Sequence, residues 1–216
     1  MGKKTAIHEQ VLNTRSTDEL MALYEDWAVH YDQDVKESWG YSGPERTLYW
    51  LKQYLDPDGA KVLDAGCGTG LVGVALAQGG FAHVEGIDYS KAMLAEAAKK
   101  AVYRRLEQMN MNALLPIDSG TYDGVTCVGT FTSAHVVPDA LKELIRVTRH
   151  GGVVCCTVRE EYWQETEFPS MLDQFVASGR ARLHVLREEP YVHSEGSVCK
   201  MVVLEALHAC LKEDDR

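Results

Sequence analysis

Residues 61–70 read KVLDAGCGTG, and this stretch decides the fold. The apolar pair Val62-Leu63 predicts a buried strand that runs from Lys61 to Ala65. The run from Leu71 to Gln78 predicts the helix that follows. Three glycines at every second position, 66, 68 and 70, therefore occupy a strand-to-helix turn. Because glycine has no side chain, such a turn lets the backbone approach a ligand closely.

The alternation of strand and helix continues along the chain after residue 61. This rhythm is typical of a parallel sheet with helices on both faces. The last two strand-like runs have no crossover helix between them, so we expect them to pair antiparallel. The sequence predicts an α/β fold: a Rossmann-like, doubly wound, mostly parallel seven-stranded sheet with an antiparallel C-terminal hairpin and an N-terminal helical lid. The predicted strands are 61–65, 83–87, a weak one near Leu106, 122–128, 152–158, 181–188 and 197–206, and the predicted helices are 71–78, 90–102, 139–148 and 162–178.

Two amphipathic helices are predicted ahead of the first strand. Between Thr17 and Asp32, apolar and aromatic residues recur at intervals of three and four, which places them along one helix face. A second helix is predicted over 44–54, before the turn at 57–59. We expect residues 1–58 to form the helical lid within a single domain, and residues 59–216 to form its ligand-binding part.

Composition limits the partners and the compartment. The chain has 216 residues, with 22 Lys and Arg against 32 Asp and Glu, so its formal charge is −10. That charge argues against nucleic acid as a partner, because no positive field would attract a phosphate backbone. No apolar stretch approaches the roughly 20 residues of a membrane span, so we expect a cytoplasmic protein, with the nucleus as the alternative. The six cysteines lack metal-ligand spacing, and most lie in apolar runs, which predicts buried thiols and no metal site.

Two carboxylates near the glycine turn indicate what it binds. The spacing G-x-G-x-G differs from the dinucleotide fingerprint G-x-G-x-x-G, whose turn suits a pyrophosphate. Asp64 stands just before the glycines, where it would repel phosphate and attract an ammonium or a sulfonium. Asp88 ends the second strand, where a carboxylate can accept both hydrogen bonds of a ribose diol. Taken singly, Asp64 is also consistent with capping the turn, and Asp88 with pairing to Ser90, so the prediction depends on the joint pattern.

Three segments resemble the motifs of class I S-adenosylmethionine-dependent methyltransferases in order and spacing. They read VLDAGCGTGLVG, EGIDYSKAML and TYDGVTCVGTF, and the resemblance spans about residues 61–158. It implies S-adenosylmethionine as the cofactor, with Asp64 and the glycine amides on the methionine part, Asp88 on the ribose, and Tyr89 and Met93 against the adenine. The family's usual acidic residue near the adenine amino group is missing here. The cofactor-binding residues implied in this way are Asp64, Gly66, Cys67, Gly68, Gly70, Asp88, Tyr89, Met93, Met111, Asn112, Val128, Gly129 and Tyr31.

A narrower resemblance covers most of the chain. The segments YEDWAVHYDQDV, GYSGPERTLYWL and TVREEYW are similar to the methyltransferase-like proteins of the Williams-Beuren syndrome chromosomal region. This second resemblance implies little about the substrate.

Several residues near the expected mouth of the site are candidates for catalysis and for substrate binding. The resemblance places His135 toward the transferring methyl, as a general base, and a hydrogen-bonded loop histidine is the alternative. Tyr31 is the second catalytic candidate, because an aromatic face stabilises a sulfonium. Substrate contacts are predicted for Trp27, Tyr41, Arg159, Glu160 and Trp163. The alternatives are packing on the core for the aromatic rings and a surface salt bridge for the charged pair.

The predicted function is in-line methyl transfer from S-adenosylmethionine to an N, O or S atom of a small molecule. Such a reaction needs alignment in a dry pocket more than acid-base chemistry. The Asn/Asp-Pro-Pro-Tyr motif of nucleic-acid and glutamine methyltransferases is absent, because residues 128–131 read VGTF. The alternatives are a protein methyltransferase, a catalytically silent S-adenosylmethionine-binding module and a nicotinamide-dependent oxidoreductase.

Overall fold

The structure is a computed structural model that describes residues 16–132 and 136–207, together with Ile7, Gln10, Val11 and Thr14. Its strands are β1 (Lys61–Ala65), β2 (His83–Asp88), β3 (Arg105–Gln108), β4 (Tyr122–Phe131), β5 (Thr148–Arg159), β6 (Ala181–Val192) and β7 (Ser197–Ala206). They form one seven-stranded sheet in the order β3-β2-β1-β4-β5-β7-β6. The strands β1 to β5 pair in parallel, and β7 pairs antiparallel with both β5 and β6. The predicted mostly parallel sheet and its C-terminal hairpin are confirmed.

Helices cover both faces of this sheet. They are α1 (Thr17–Asp32), α2 (Gly43–Leu51), α3 (Leu71–Gln78), α4 (Lys91–Lys99), α5 (Ala140–Val147), α6 (Glu160–Glu165) and α7 (Phe168–Ala177), with a π-helical segment at Gln33–Ser38. Val62 contributes to the core that includes Leu51 of α2 and Leu76 of α3. Its neighbour Leu63 contributes to the core on the other face, with Leu144 of α5. The apolar pair of the opening stretch thus points to both faces, because successive strand residues alternate.

The register of the central strands brings the polar ends of the motifs together. β1 pairs in parallel with β2 on one side and with β4 on the other. Asp64 is therefore level with Gly86 of β2 and Thr126 of β4. Since the carboxyl ends of parallel strands meet at one edge of a sheet, the turns after β1, β2 and β4 surround one crevice.

Some element boundaries differ from the prediction. β5 begins at Thr148, so the predicted turn at 150–152 lies inside the strand. The glycines of that turn lie where the register between β4 and β5 shifts. The predicted helix 162–178 is two helices, α6 and α7, and Pro169 stands in the first turn of α7. A proline there ends the preceding helix and starts the next one, because it has no amide hydrogen to donate.

The N-terminal residues divide into two structural roles. α1 packs against α4 and covers the crevice at the carboxyl ends of the strands. By contrast, α2 packs against α3, β4 and β5, and its Leu51 is fully buried in the core. The cover over the crevice is therefore α1 with the π-helical segment, whereas α2, which the sequence places in the lid, is part of the body of the domain. Within the described ranges no helix has the length and apolar character to cross a membrane.

Candidate active site

The glycine turn after β1 is held by backbone hydrogen bonds to the end of β2. The amides of Gly66 and Cys67 both donate to the carbonyl of Ile87, at 2.8 and 3.0 Å. Gly68 has a φ of +53°, and a Cβ at this position would meet no atom within 4 Å. The turn therefore leaves open space above the backbone, as a ligand-binding turn requires.

Asp88 connects the glycine turn to the helix after β2. Its Oδ2 accepts from the amide of Gly68 at 2.9 Å, and its Oδ1 accepts from the amide of Ser90 at 2.8 Å. The predicted pairing with Ser90 is thus present together with a contact to the turn. Burial raises the pKa of Asp88. Each carboxylate oxygen has a second lone pair, so both can still accept from a diol.

A cavity of about 1050 Å³ lies over this turn. Eleven of the thirteen predicted cofactor-binding residues line it: Gly66, Cys67, Gly68, Asp88, Tyr89, Met93, Met111, Asn112, Val128, Gly129 and Tyr31. Asp64 and Gly70 do not line it, because Asp64 is fully buried below the turn and Gly70 is the N-cap residue of α3. The sequence interpretation missed the contributions of Leu20, Met21, Tyr24, Thr69, Leu71, Val72, Met109, Asn110, Thr130 and Val136.

Asp64 has its partners beneath the turn. The hydroxyl of Tyr103 donates to its Oδ2 at 2.7 Å, and the hydroxyl of Thr126 donates to its Oδ1 at 3.0 Å. Burial raises the pKa of Asp64 to about 6, and these two hydrogen bonds oppose that shift. Asp64 therefore supports the floor of the cavity from below and is not among the residues that line it.

Tyr103 fills a groove that glycines form. A Cβ at Gly73 would lie 2.2 Å from its Cζ, and Cβ atoms at Gly70 and Gly86 would each lie 3.0 Å from its ring. The amide of Gly73 donates to the Tyr103 hydroxyl at 3.2 Å. Tyr103 thus joins the turn, β2 and α3, and it was not among the predicted site residues. The unusual number of glycines between 66 and 86 was the available signal, since a buried ring needs such room.

α1 is fastened to the glycine turn at its C-terminal end. The hydroxyl of Thr69 donates to Oδ1 of Asp32 at 2.5 Å, and Nζ of Lys100 lies 2.6 Å from Oδ2 of the same carboxylate. Lys100 also donates to the Thr69 carbonyl. We refer to Asp32, Thr69 and Lys100 as the clasp, because they join the cover over the cavity to its floor.

A second cavity of about 530 Å³ adjoins the first. The two share Tyr24, Tyr31, Tyr41 and Gly129 as wall residues. We call the second cavity the aromatic chamber, because six rings line it: Tyr24, Trp27, Tyr31, Trp39, Tyr41 and Tyr191. The predicted substrate residues Trp27, Tyr41 and Arg159 belong to this chamber.

The structure does not bring the other substrate candidates to the chamber. Trp163 is partly buried against Phe168, at a centroid distance of 5.9 Å, so its alternative role in packing applies. Glu160 forms a salt bridge with Lys200 at 3.1 Å, the alternative that the sequence left open, and it also accepts from Gln164.

Of the two catalytic candidates, His135 lies outside the described residues. Burial raises the pKa of Tyr31, which therefore stays a protonated phenol at neutral pH.

The cavity over the glycine turn fits S-adenosylmethionine by its open backbone, its acceptor carboxylate and its apolar wall. The open space at Gly68 accommodates a group in contact with the backbone, and Asp88 offers acceptor oxygens at the wall. Tyr89, Met93 and Met111 give an apolar surface for a purine. Among the described residues, no group of three or more His, Cys, Asp or Glu side chains is arranged to hold a metal ion.

Comparisons with known proteins agree with this geometry. Residues 62–152 match the family model for a methyltransferase domain. The human methyltransferase-like protein 27 is 40% identical over 140 residues, which are 63% of this chain and 56% of that protein. A demethylmenaquinone methyltransferase of Bacillus licheniformis is 41% identical over 107 residues, 46% of this chain and 45% of that enzyme. The chain thus spans about half the length of the curated relatives that it matches.

Solved structures share the same fold. An S-adenosylmethionine-dependent methyltransferase from Aquifex aeolicus has a TM-score of 0.60 at 21% identity, and the match covers 85% of this chain and 98% of that one. A methyltransferase of the same cofactor class from Mesorhizobium loti has a TM-score of 0.57 at 15% identity, over 76% of this chain and 100% of that one. At such identities the likeness concerns the fold. Residues 62–152 are thus similar to a methyltransferase domain, and the described fold is shared with solved S-adenosylmethionine-dependent methyltransferases.

Proposed function

We propose that the protein transfers a methyl group from S-adenosylmethionine to an N, O or S atom of a small molecule. The observation that supports this most strongly is the pair of adjacent cavities, one over the glycine turn and one lined by aromatic rings. Gly129 and Tyr31 belong to the walls of both. A donor in the first cavity and an acceptor in the second would therefore meet beside the end of β4.

The residues of this site bind and align more than they exchange protons. Asp88 would hold the ribose, and the open backbone at Gly68 would lie against the methionine part. When bound, the cofactor supplies an electrophilic methyl group, which the acceptor atom takes while the sulfur keeps the bonding electron pair as a neutral thioether. A proton on the acceptor, where present, leaves to water or to a base. Exclusion of water by α1 and correct alignment contribute much of the acceleration.

A small acceptor suits the chamber better than a protein side chain. α1 and the π-helical segment supply Tyr24, Trp27, Tyr31 and Val35 to its wall, so the acceptor lies beneath the cover. A relative acts, by its name, on demethylmenaquinone, which is also a small molecule. The alternative of a protein methyltransferase requires a peptide to reach under the same cover.

The first test is titration calorimetry with S-adenosylmethionine, S-adenosylhomocysteine and NAD. We expect micromolar binding of the first two, and none of NAD. Asp88→Asn should weaken binding about tenfold or more. It replaces one acceptor oxygen by an NH2 group, and it removes the negative charge from the oxygen that remains. Asp118→Asn is the matched control, since Asp118 is an exposed residue before β4, at the opposite end of the sheet. Binding of NAD, or S-adenosylhomocysteine affinity that Asp88→Asn leaves unchanged, would contradict the proposal.

A second test separates the acceptor classes. The protein is incubated with methyl-labelled S-adenosylmethionine and a cell extract, which is then divided into proteins and small molecules. We expect label in the small-molecule fraction. Label confined to proteins would favour the protein methyltransferase, and cofactor binding with no label in either fraction would favour the silent binding module.

A further inference from the structure

We propose that the hydroxyl of Tyr41 contacts the transferring methyl group of the bound cofactor and favours S-adenosylmethionine over S-adenosylhomocysteine. Tyr191 is the positioning residue that holds this hydroxyl in place. The inference rests on the proposed function, because it concerns the point where the cofactor cavity and the aromatic chamber meet. It adds a role in cofactor selection to a residue that the sequence assigned to the substrate alone.

Gly129 marks the boundary between the two cavities and leaves room for the Tyr41 hydroxyl. It lines both cavities, and it lies where the register between β4 and β5 shifts, between Cys127 and Phe131. Its φ is +74°, and a Cβ there would lie 2.9 Å from the hydroxyl oxygen of Tyr41 and 3.5 Å from that of Tyr191. Two phenol oxygens therefore converge on one point at the end of β4.

A second glycine brings the Tyr41 hydroxyl close to the backbone at another place. A Cβ at Gly43 would lie 2.5 Å from both the Cζ and the hydroxyl oxygen of Tyr41. Gly43 is the first residue of α2, which belongs to the body of the domain. The hydroxyl end of the ring is thus enclosed by backbone that has no side chain, and this enclosure limits the positions that the oxygen can take.

The residues around Tyr41 are joined to the end of the C-terminal hairpin. Tyr41 forms a β-bridge with Val192. The amide of Ser42 donates to the carbonyl of Tyr191 at 3.0 Å. The ring of Tyr41 lies edge-on to the ring of Tyr191, at a centroid distance of 5.1 Å and an angle of 90°, which is a favourable geometry for two aromatic rings. Backbone and ring contacts together therefore fix the direction of the Tyr41 hydroxyl.

Hydrogen bonds among buried hydroxyl groups leave the oxygen of Tyr41 available to a ligand. The amide of Gly129 donates to Oγ1 of Thr157 at 2.9 Å. Burial raises the pKa of Tyr41, and its side-chain hydrogen bond with Tyr191 raises it further. Burial also raises the pKa of Tyr191 to about 12, whereas the hydrogen bonds with Tyr41 and Thr157 lower it. Opposite effects of one hydrogen bond indicate that Tyr41 donates to Tyr191, so the lone pairs of Tyr41 can face the cavity.

A phenol oxygen at this boundary distinguishes a methyl sulfonium from a thioether. The methyl of S-adenosylmethionine carries part of the positive charge of the sulfonium, so its hydrogens are attracted to an oxygen lone pair. S-adenosylhomocysteine has neither the methyl nor the charge. Because Tyr41 remains a protonated phenol at neutral pH, it would orient the methyl toward the chamber without acting as a base. The contact is absent in the product, which is therefore expected to bind more weakly.

The test is titration calorimetry of the wild type and Tyr41→Phe with three ligands. Sinefungin is an S-adenosylmethionine analogue that carries a protonated amine in place of the methyl sulfonium, and S-adenosylhomocysteine carries neither group. We expect Tyr41→Phe to weaken sinefungin binding about tenfold and S-adenosylmethionine binding about threefold, with S-adenosylhomocysteine affinity changed by less than about twofold. An equal loss for all three ligands would overturn the inference, because it would indicate a structural role for the hydroxyl.

Two further variants separate the positioning role from a structural one. Tyr191→Phe removes the partner of the Tyr41 hydroxyl and should weaken sinefungin binding about threefold, again with S-adenosylhomocysteine affinity nearly unchanged. If Tyr41→Phe does not fold, Tyr191→Phe is used in its place. Tyr54→Phe is the matched control, because this partly buried tyrosine packs against His184 and is not among the residues that line either cavity. It should leave all three affinities unchanged.

The wild-type titration separates this inference from the proposed function. Absence of S-adenosylhomocysteine binding by the wild type would contradict the proposed function and the inference together. Unchanged sinefungin affinity in the folded Tyr41→Phe variant, with S-adenosylhomocysteine still bound by both proteins, would contradict the inference alone.

Discussion

Replacing Tyr103 by phenylalanine removes one hydroxyl and leaves the ring in its groove. The groove formed by Gly70, Gly73 and Gly86 stays filled, so no cavity opens. What is lost is the 2.7 Å hydrogen bond to Asp64, a fully buried carboxylate, and the 3.2 Å hydrogen bond that the hydroxyl accepts from the amide of Gly73. Because the Gly73 amide does not titrate, the pH-dependent part of the effect on stability reports the interaction of the hydroxyl with Asp64.

The loss of stability in Tyr103→Phe depends on the charge of Asp64. With a pKa of about 6, against an ordinary value of 3.8, the native state holds a proton that the unfolded state releases between these pH values. Asp64 therefore lowers the free energy of unfolding by about 3 kcal/mol as the pH rises from about 4 to 6. Above pH 6 the Tyr103 bond is made to a charged acceptor and contributes about 1.5–3 kcal/mol. Below pH 6 the acceptor is neutral, and the bond contributes about 1 kcal/mol.

Urea unfolding of the wild type and Tyr103→Phe at pH 5 and pH 8 tests this reasoning. We expect the variant to lose about 1 kcal/mol at pH 5 and about 2–3 kcal/mol at pH 8. Tyr122→Phe is the matched control, because the Tyr122 hydroxyl donates to Glu85 at 2.7 Å and Glu85 is partly exposed. Water can replace that hydroxyl, so the control should lose less at pH 8. An equal loss at both pH values in Tyr103→Phe would refute the assignment of Asp64 as a buried, ionised support.

Three further outcomes follow from the same contacts. Asp32→Ala breaks the clasp and should speed S-adenosylhomocysteine dissociation about fivefold in stopped-flow measurements, whereas exposed Asp26→Ala should not change it. Gly73→Ala places a Cβ against the Tyr103 ring and should lower the free energy of unfolding by about 1–3 kcal/mol. An unchanged urea midpoint would contradict the packing of the Tyr103 ring on Gly73. Cys155 and Cys156 are fully buried, and burial raises the pKa of both thiols, so residue-resolved alkylation should modify them only after unfolding. Rapid labelling of the native protein would be evidence against their placement.

The fold was predictable where one residue pattern has one structural solution. The apolar pair Val62-Leu63, the glycines and the run Leu71 to Gln78 define β1, the turn and α3, and the structure has both elements at the predicted bounds. The prediction was less accurate where pairing between strands decides the outcome. β5 begins at Thr148 because Tyr122 of β4 pairs with it, and that contact is not a local property of residues 148–152.

The candidate site was predictable for residues in motifs and not for those that meet through tertiary contacts. Asp88 and the glycine turn end neighbouring strands, and both lie in motif segments, so the βαβ pattern brings them together. Tyr103 and Thr126 meet Asp64 from distant positions; Tyr103 lies outside the three motif segments, and the segment that contains Thr126 does not indicate Asp64 as its partner. Trp163 was assigned to the substrate because aromatic residues near a crevice suit either packing or binding, and only the ring of Phe168 beside it decides between them.

The contacts around the glycine turn differ in burial, and this difference indicates which part of the site opens. Below the turn, Asp64 and Thr126 are fully buried, and breaking their hydrogen bond would leave polar groups without water. Above it, the side chains of Asp32 and Lys100 in the clasp are 38% and 19% exposed, so water can replace each partner as the clasp opens. Opening at the clasp therefore costs less than rearranging the turn. A cofactor is therefore expected to enter by displacement of α1 over a floor that is already formed.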